Sequence, residues 1–502
     1  MENNEKTTGR IRAFFKRRQH PIRILSYATK QLWLLALPLA KYLIAVRFDF
    51  QSWIRSHWLE ILVLVIIFGY SFLRWLSVYY YYDKESVTVH TGFFGLRSTH
   101  VRFSEISAFS LNQGYLDRLI HSCTIYIDTG TASNRRSTIS FNLNRKQAFE
   151  LYHSITAVAK DKQKYVYRSR KKDLLAFSFL FSSTLSGMLV VVGVIFQAYR
   201  IMGREVQFRL LREVNERIEA TPIIEVIPAY ILAGATLIFG LWLVSFVANL
   251  MRHWNFSCTK ASGLFVIRSG KGAKRRHVLR KRRINYIDYR QSLLMKLFKV
   301  TTVEVGCSGY GKRHREISAI IPITTNSRID ESMKQLLPKF PPVRGSIDTS
   351  DKLAIPLFML LPFLCSFVPG IAARIAYPYF PSWHREIVMT AVILTIPMVW
   401  LTIVKAAASR CTFMGFEDGF CSMGFCSWYK FHKVTAPVHK IAKVEVSRHP
   451  FQRIGGSCTV TVYTNNDKAN KHIVKGLNHK AAVALLRENG FLFEESDGVD
   501  DQ

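Results

Sequence analysis

Few residues in this 502-residue chain are of a type and spacing that could do chemistry, and most fail on their surroundings. Gly306, Gly311 and Lys312 have the G-x-x-x-x-G-K spacing of a phosphate-binding loop, in which backbone amides cradle phosphate oxygens. The next residue is Arg313 rather than Ser or Thr, so the magnesium ligand is missing. Residues 316–321 then alternate like a strand, so no helix N-terminus faces the phosphate. A Gly-rich hairpin turn is the better reading. The eight cysteines (123, 258, 307, 365, 411, 421, 426 and 458) contain no CxxC pair, which argues against a zinc site and a disulfide framework. They read as reduced, packing cysteines. The fifteen His are dispersed, and no G-x-S-x-G or HExxH set occurs. No catalytic residue, metal or cofactor is expected, and the chain reads as non-enzymatic.

Charge is the second chemical resource. Lys and Arg number 69 against 35 Asp and Glu, a formal net charge of +34. The densest run is residues 274–283, where Lys274, Arg275, Arg276, Arg280, Lys281, Arg282 and Arg283 could meet anionic lipid headgroups at about 1 kcal/mol each. Nucleic acid is disfavoured, because base-stacking aromatics are not interleaved with these cations. A solvated cytosolic surface is the plain alternative.

The same chain is 49% hydrophobic, so its apolar and basic residues must be kept apart. Six stretches are long and clean enough to cross a bilayer: 24–46, 58–77, 174–199, 227–250, 353–377 and 387–404. They form three pairs, within 24–77, 174–250 and 353–404. The first is the weakest, with Pro38 and Lys41 inside it, and the fifth should kink at its prolines. The first 30 residues hold eight Lys or Arg, whereas the short connections at 47–57, 200–224 and 374–386 together hold nine. By the positive-inside rule both termini and the long segments lie in the cytoplasm. Within 200–224, an external helical segment is expected over 204–219, with Leu210, Leu211, Val214 and Ile218 on one face.

Each pair precedes a soluble segment of similar size, 78–160, 252–339 and 409–492, and these segments repeat one another. The basic stretch 1–23 comes before the first pair, and an acidic tail, 493–502, ends the chain. The first segment carries Ile106, Gln113, Leu116, Arg118 and Leu119. The second carries Ile284, Gln291, Leu294, Lys296 and Leu297, and the third Ile441, Arg448, Phe451, Arg453 and Ile454, all at identical spacing. Coincident spacing of this kind marks an internal repeat. Around it the pattern is a strand ending at Gly, two alternating strands, then an amphipathic helix. The helix buries Ala148, Leu151, Tyr152 and Ile155 in the first copy, and Ile329, Met333, Leu336 and Leu337 in the second. In the third it buries Ala482, Leu485 and Leu486. This describes a small β-barrel or sandwich closed by a C-terminal helix.

That order, directly after a transmembrane pair, resembles the bacterial pleckstrin-homology-like membrane proteins, and the threefold arrangement resembles the long YdbT-like members. Gln113, Gly114, Leu116, Arg118 and Leu119 carry the likeness best. The second copy departs from it at Ser292 and Lys296, the third at Arg448 and Pro450. The resemblance implies three PH-like domains and no catalytic chemistry. The expected function is a multi-pass scaffold in the cell membrane, binding anionic lipid, a membrane protein partner such as a smaller single-domain relative, or further copies of itself. Envelope stress or antimicrobial-peptide tolerance is the setting implied. The alternative is a component of a transport or export system, which would need polar residues facing one another across the spans.

Overall fold

The computed structural model describes residues 18–28, 49–83, 85–92, 97–130, 138–156, 165–181, 229–261, 263–307, 310, 318–341, 347–348, 354–380, 384–465 and 471–491. Four helices among them are long and apolar enough to cross a membrane: Trp58–Leu76, Ala229–His253, Ala354–Ala376 and His384–Ser409. Their large apolar side chains, such as Leu62, Phe239, Leu361 and Ile396, point outward instead of into a core. Such helices need an apolar solvent. They correspond to the second, fourth, fifth and sixth expected spans. Most of the first and third expected spans, and the external segment 204–219, lie outside the described residues. The start of the third is a helix, Lys171–Phe181, whose Phe179 ring meets Trp242 edge-on at 5.3 Å.

Among the described residues the remainder includes twenty short strands, rich in β-branched and aromatic residues and broken at tight turns. Those of the first repeat are β1 (Tyr79–Tyr82), β2 (Ser86–Thr91), β3 (Arg97–Arg102), β4 (Ala108–Gln113), β5 (Ser122–Asp128) and β6 (Thr138–Asn144). The second begins with β7 (Tyr165–Arg168), ahead of the apolar helices, and continues with β8 (Ser257–Ala261), β9 (Leu264–Ser269), β10 (Lys274–Arg280), β11 (Ile284–Ser292), β12 (Val300–Cys307) and β13 (Ala319–Thr325). The third has β14 (Ile347–Asp348), β15 (Phe413–Glu417), β16 (Phe420–Ser427), β17 (Lys430–Pro437), β18 (Ile441–Ser447), β19 (Ser457–Thr464) and β20 (Lys471–Asn478). The hairpin between β15 and β16 turns at Asp418 and Gly419, both with positive φ.

Each unit is two small sheets packed face to face, with its last helix covering the core. In the first unit Ala148, Leu151, Tyr152 and Ile155 of the helix Arg145–Thr156 pack into the same cluster as Val87, Phe109 and Ile125. The helices Asn326–Leu336 and His479–Glu488 do the same in the other two. One hydrogen bond recurs in all three. The first residue of the covering helix (Arg145, Asn326 or His479) donates its backbone N–H to the carbonyl of a residue just before a strand, His121, Lys299 or Gly456, at 2.9, 2.9 and 3.0 Å. That residue has φ near +55 to +65° each time, and the third copy fills it with Gly, which adopts the conformation most cheaply.

The units are not separate beads. The sheets run in the orders β1-β2-β3, then β6-β5-β4-β10-β9-β8-β7, then β13-β12-β11-β17-β16-β15-β14, and finally β18-β19-β20. The second sheet of one unit is therefore continuous with the first sheet of the next, through β4 on β10 and β11 on β17. Three PH-like domains, one in each repeated segment, are the expectation; their strands pair across the segment boundaries as well. The physical reason lies in burial: most of β4 and the first five residues of β11 are buried on both faces, which a strand ending its own small sheet would not be. Phe109 and Leu111 enter the first core, together with Val278 of the next unit, while Ala108 enters the second.

Candidate functional site

The repeat motif forms a turn of helix between two strands: Tyr115–Leu119, Leu293–Leu297 and Pro450–Ile454. Its first apolar residue is structural, with Ile106 and Ile284 buried and Ile441 partly so. The long polar residue ties the turn down. Gln113 Nε2 donates to the Ser122 carbonyl at 3.3 Å, and Gln291 Nε2 to the Val300 carbonyl at 3.0 Å. In the third copy Arg448 reaches only the Arg453 carbonyl, at 3.4 Å. The tie passes to Gln452, bonded to Thr459 Oγ1 at 3.0 Å.

The motif's other apolar residues are turned out of the fold. Leu116 is 70% exposed, Leu119 77%, Leu297 74% and Ile454 86%; Leu294 is also exposed. The Phe451 side chain lies outside the described set. A folded soluble surface does not collect leucines at equivalent positions in this way. Their neighbours explain it. Tyr115 Oη lies 3.9 Å from Met251 Sδ near the end of the helix Ala229–His253, and Gly272 leaves room for its ring. In the second unit, Leu293 packs with Val404, Ala408 and Phe431 at the end of His384–Ser409. Lys296 Nζ bonds Cys411 Sγ at 2.7 Å and stands 3.8 Å from the Phe431 ring centre. Each of these two turns thus abuts the end of the following apolar helix, with its leucines outermost. Arg118 and Arg453 are exposed beside them.

The basic run 274–283 is placed elsewhere. Most of it is β10 and the turn after it, inserted against the first unit. Arg276 lies over Phe149, 4.7 Å from the ring centre, Arg280 donates to the Phe103 carbonyl, and Arg283 pairs with Glu105 at 3.0 Å. Arg275 and Lys281 are partly covered, and Lys274 and Arg282 are exposed. The run thus joins two units as well as carrying charge. Of the G-x-x-x-x-G-K stretch, 308–309 and 311–317 are outside the described residues; Tyr310 is buried, its hydroxyl donating to the Ala319 carbonyl at 2.8 Å.

A polar cluster that the spacing of the sequence does not announce sits where the second and third units meet. Arg290 bridges Glu304, at 2.8 Å, and Asp288, at 3.3 Å, and His432 Nδ1 lies 2.8 Å from Asp288 Oδ2. Burial alone would raise the Asp288 carboxyl, but His432 and Arg290 outweigh it and hold the group below its usual range. Burial prevails at Glu304, which is raised in spite of Arg290. At the first joint the place of Asp288 is held by Ser110, whose Oγ lies 2.8 Å from His277 Nδ1.

The sequence pattern of the bacterial PH domain family matches residues 29–159 and 206–335, more than half of the chain. The chain belongs to the bacterial PH domain family. The two matches cover the first two PH-like units, each with apolar sequence ahead of it, and such domains point to binding of lipid or protein. No curated protein matches the chain.

Proposed function

We propose that this chain is a non-enzymatic membrane scaffold whose three units, the third PH-like as well, form one stiff array along the cytoplasmic face of the membrane. The observation that supports this reading best is the continuity of the sheets through both unit boundaries. Transient, independently moving recognition domains would not share strands. The array is anchored by helix pairs and rests its motif leucines in the interfacial layer, where buried apolar area and nearby cations add to membrane affinity. Partners bind its outer faces. The transport alternative needs a polar path, and the described helices argue against one. The groove of about 740 Å3 between Ala354–Ala376 and His384–Ser409 is lined mainly by residues such as Ala373, Val388, Val392, Ile396 and Trp400.

Cysteine-scanning of the four helices with a membrane-impermeant thiol reagent tests the reading. The expected result is labelling at helix ends alone. A continuous reactive stripe across two or more helices would replace the scaffold with a conduit.

A further inference from the structure

The three units carry the same two strand edges, and within the chain two joints are made from them. β10 and β17, the last strands of their units' first sheets, each receive on their outer side the first strand of the preceding unit's second sheet, β4 or β11. The register is the same at both joints. Counted back from the short turns Lys281–Arg283 and Val438–Lys440, Val278 and Thr435 hold one position. They lie opposite Phe109 and Ile287, which also hold one position, counted from Ile106 and Ile284.

Among the described residues, the first and third units carry the unused halves of this joint. β3 is the counterpart of β10 and β17, and β18 that of β4 and β11. Among the described residues neither has a strand on its outer side. Exposure follows. Ser98, His100 and Arg102 are exposed on β3, where Val278 is buried on β10; Lys443 is exposed on β18, where Ala108 and Tyr286 are buried.

We propose that β18 of one copy pairs with β3 of a second copy, so that chains join head to tail by a third use of the joint each already contains twice. Carrying the register over sets His100 opposite Val444, Thr99 opposite Glu445 and Arg97 opposite Ser447. Arg97 then stands diagonally to Glu445, the relation that His432 has to Asp288. Opposite charges meet on a shared face. A cleft of about 550 Å3 lined by Arg97, Thr99, Ile139 and Ser140, among others, lies open beside β3 to receive the incoming side chains. Edge cations are no deterrent, although they commonly blunt a free edge. β10 pairs fully while carrying Lys274, Arg275 and Arg276. A second copy is the occupant that fits. It brings the complementary edge in equal number, since every copy carries one β3 and one β18. Such a heterologous contact builds a ring where the rotation closes and a row where it does not. The proposal goes beyond the scaffold reading and does not rest on it, since a lone chain would still be an array.

The test uses two differently tagged full-length copies co-expressed in membranes, one with Thr99→Cys and the other with Glu445→Cys, followed by mild oxidation or a short thiol cross-linker. The expected product is a covalent dimer carrying both tags, at least fivefold above that from either variant with the parent chain, whose native cysteines set the background. With a second cysteine pair, His100→Cys on the first copy and Val444→Cys on the second, which leaves Arg97 and Glu445 in place, Arg97→Glu on the first copy should cut the yield severalfold, and Glu445→Arg on the second should restore it. These positions lie on strand edges, Arg97 exposed and Thr99 and Glu445 partly covered, and an unchanged melting temperature shows that the variants fold. Absence of the two-tag product in folded protein overturns the proposal, as does capture of Glu445→Cys by a different protein. Either result leaves the reagent-accessibility test of the scaffold untouched.

Discussion

His432 and Asp288 come from different units of the fold, yet their side chains meet at 2.8 Å across the strand pair β11·β17. Asp288 is almost fully buried, and the second cation on it, Arg290, also holds Glu304. The joint between the second and third units is therefore built around two carboxylates that cannot share a dry site without their cations.

Arg290→Met should accordingly destabilise the chain by about 3–5 kcal/mol, since it leaves both acids buried without the guanidinium between them. Adding Asp288→Asn and Glu304→Gln to that variant should recover most of the loss. Denaturant unfolding of the full chain in detergent measures both steps; a loss that persists in the triple variant would mean that Arg290 acts through packing.

Acid should loosen the same joint. Burial pulls His472 down to about 4, against which the Asp288 charge acts only partly, and its ring meets Tyr286 of the preceding unit edge-on at 4.8 Å. The folded state thus holds the imidazole neutral, while the unfolded chain takes up a proton near pH 6.5. Below that value the unfolded state binds more protons, so stability falls from about pH 6.5 down to about 4 and is level beneath it. The total is on the order of 3 kcal/mol. His472→Leu should flatten this portion of the pH–stability curve, as read by thermal melts between pH 4 and 7.

Gly306→Ala should weaken the joint for steric reasons. A Cβ there would stand 2.2 Å from the Tyr286 ring, which lies in the third unit's core. A cost of about 1–3 kcal/mol is expected, as for other overpacked cores. In a Tyr286→Ala background the same substitution should cost little, and a double-mutant cycle on melting temperatures decides the point.

Leu119→Ser with Leu297→Ser should leave stability within about 0.5 kcal/mol per site, because both side chains already lie outside the fold. Membrane contact should nonetheless suffer. A fluorophore at position 120 or 298 in reconstituted protein should be quenched by brominated lipid in the parent and markedly less in the variant. Equal quenching would place these turns away from the bilayer.

Much of the architecture was legible in the residues. Hydropathy located the four described helices, and the covering helices were visible in pairs such as Leu151 with Ile155 and Met333 with Leu336. Gln113 and Gln291 each bond the carbonyl at the far end of the turn that follows them. What escaped was which strands lie edge to edge. Alternation in β4 or β10 specifies the two faces of a strand but not the neighbour along its hydrogen-bonding edge, and Phe109 and Val278 are far apart in sequence. The signal lay in the burial demanded of both faces of 284–289, INYIDY, where alternation gives way to a continuous run. β7 and β14 were missed because two to four residues before an apolar helix look like linker. Nothing local marked Asp288 and Glu304 as buried acids, since the unit that covers them, with the His432 that pairs with Asp288, arrives from beyond two helices.

The shared sheets also set a timetable. Ser110 must wait for His277, 167 residues later, before its strand has a neighbour. At translation rates of about 5–20 residues per second that delay is roughly 10–30 s. The apolar helix Ala229–His253 is made in the interval. The first unit of each newborn chain therefore completes its fold only after that helix is synthesised, so that placing the helix becomes a step in the maturation of the strands ahead of it.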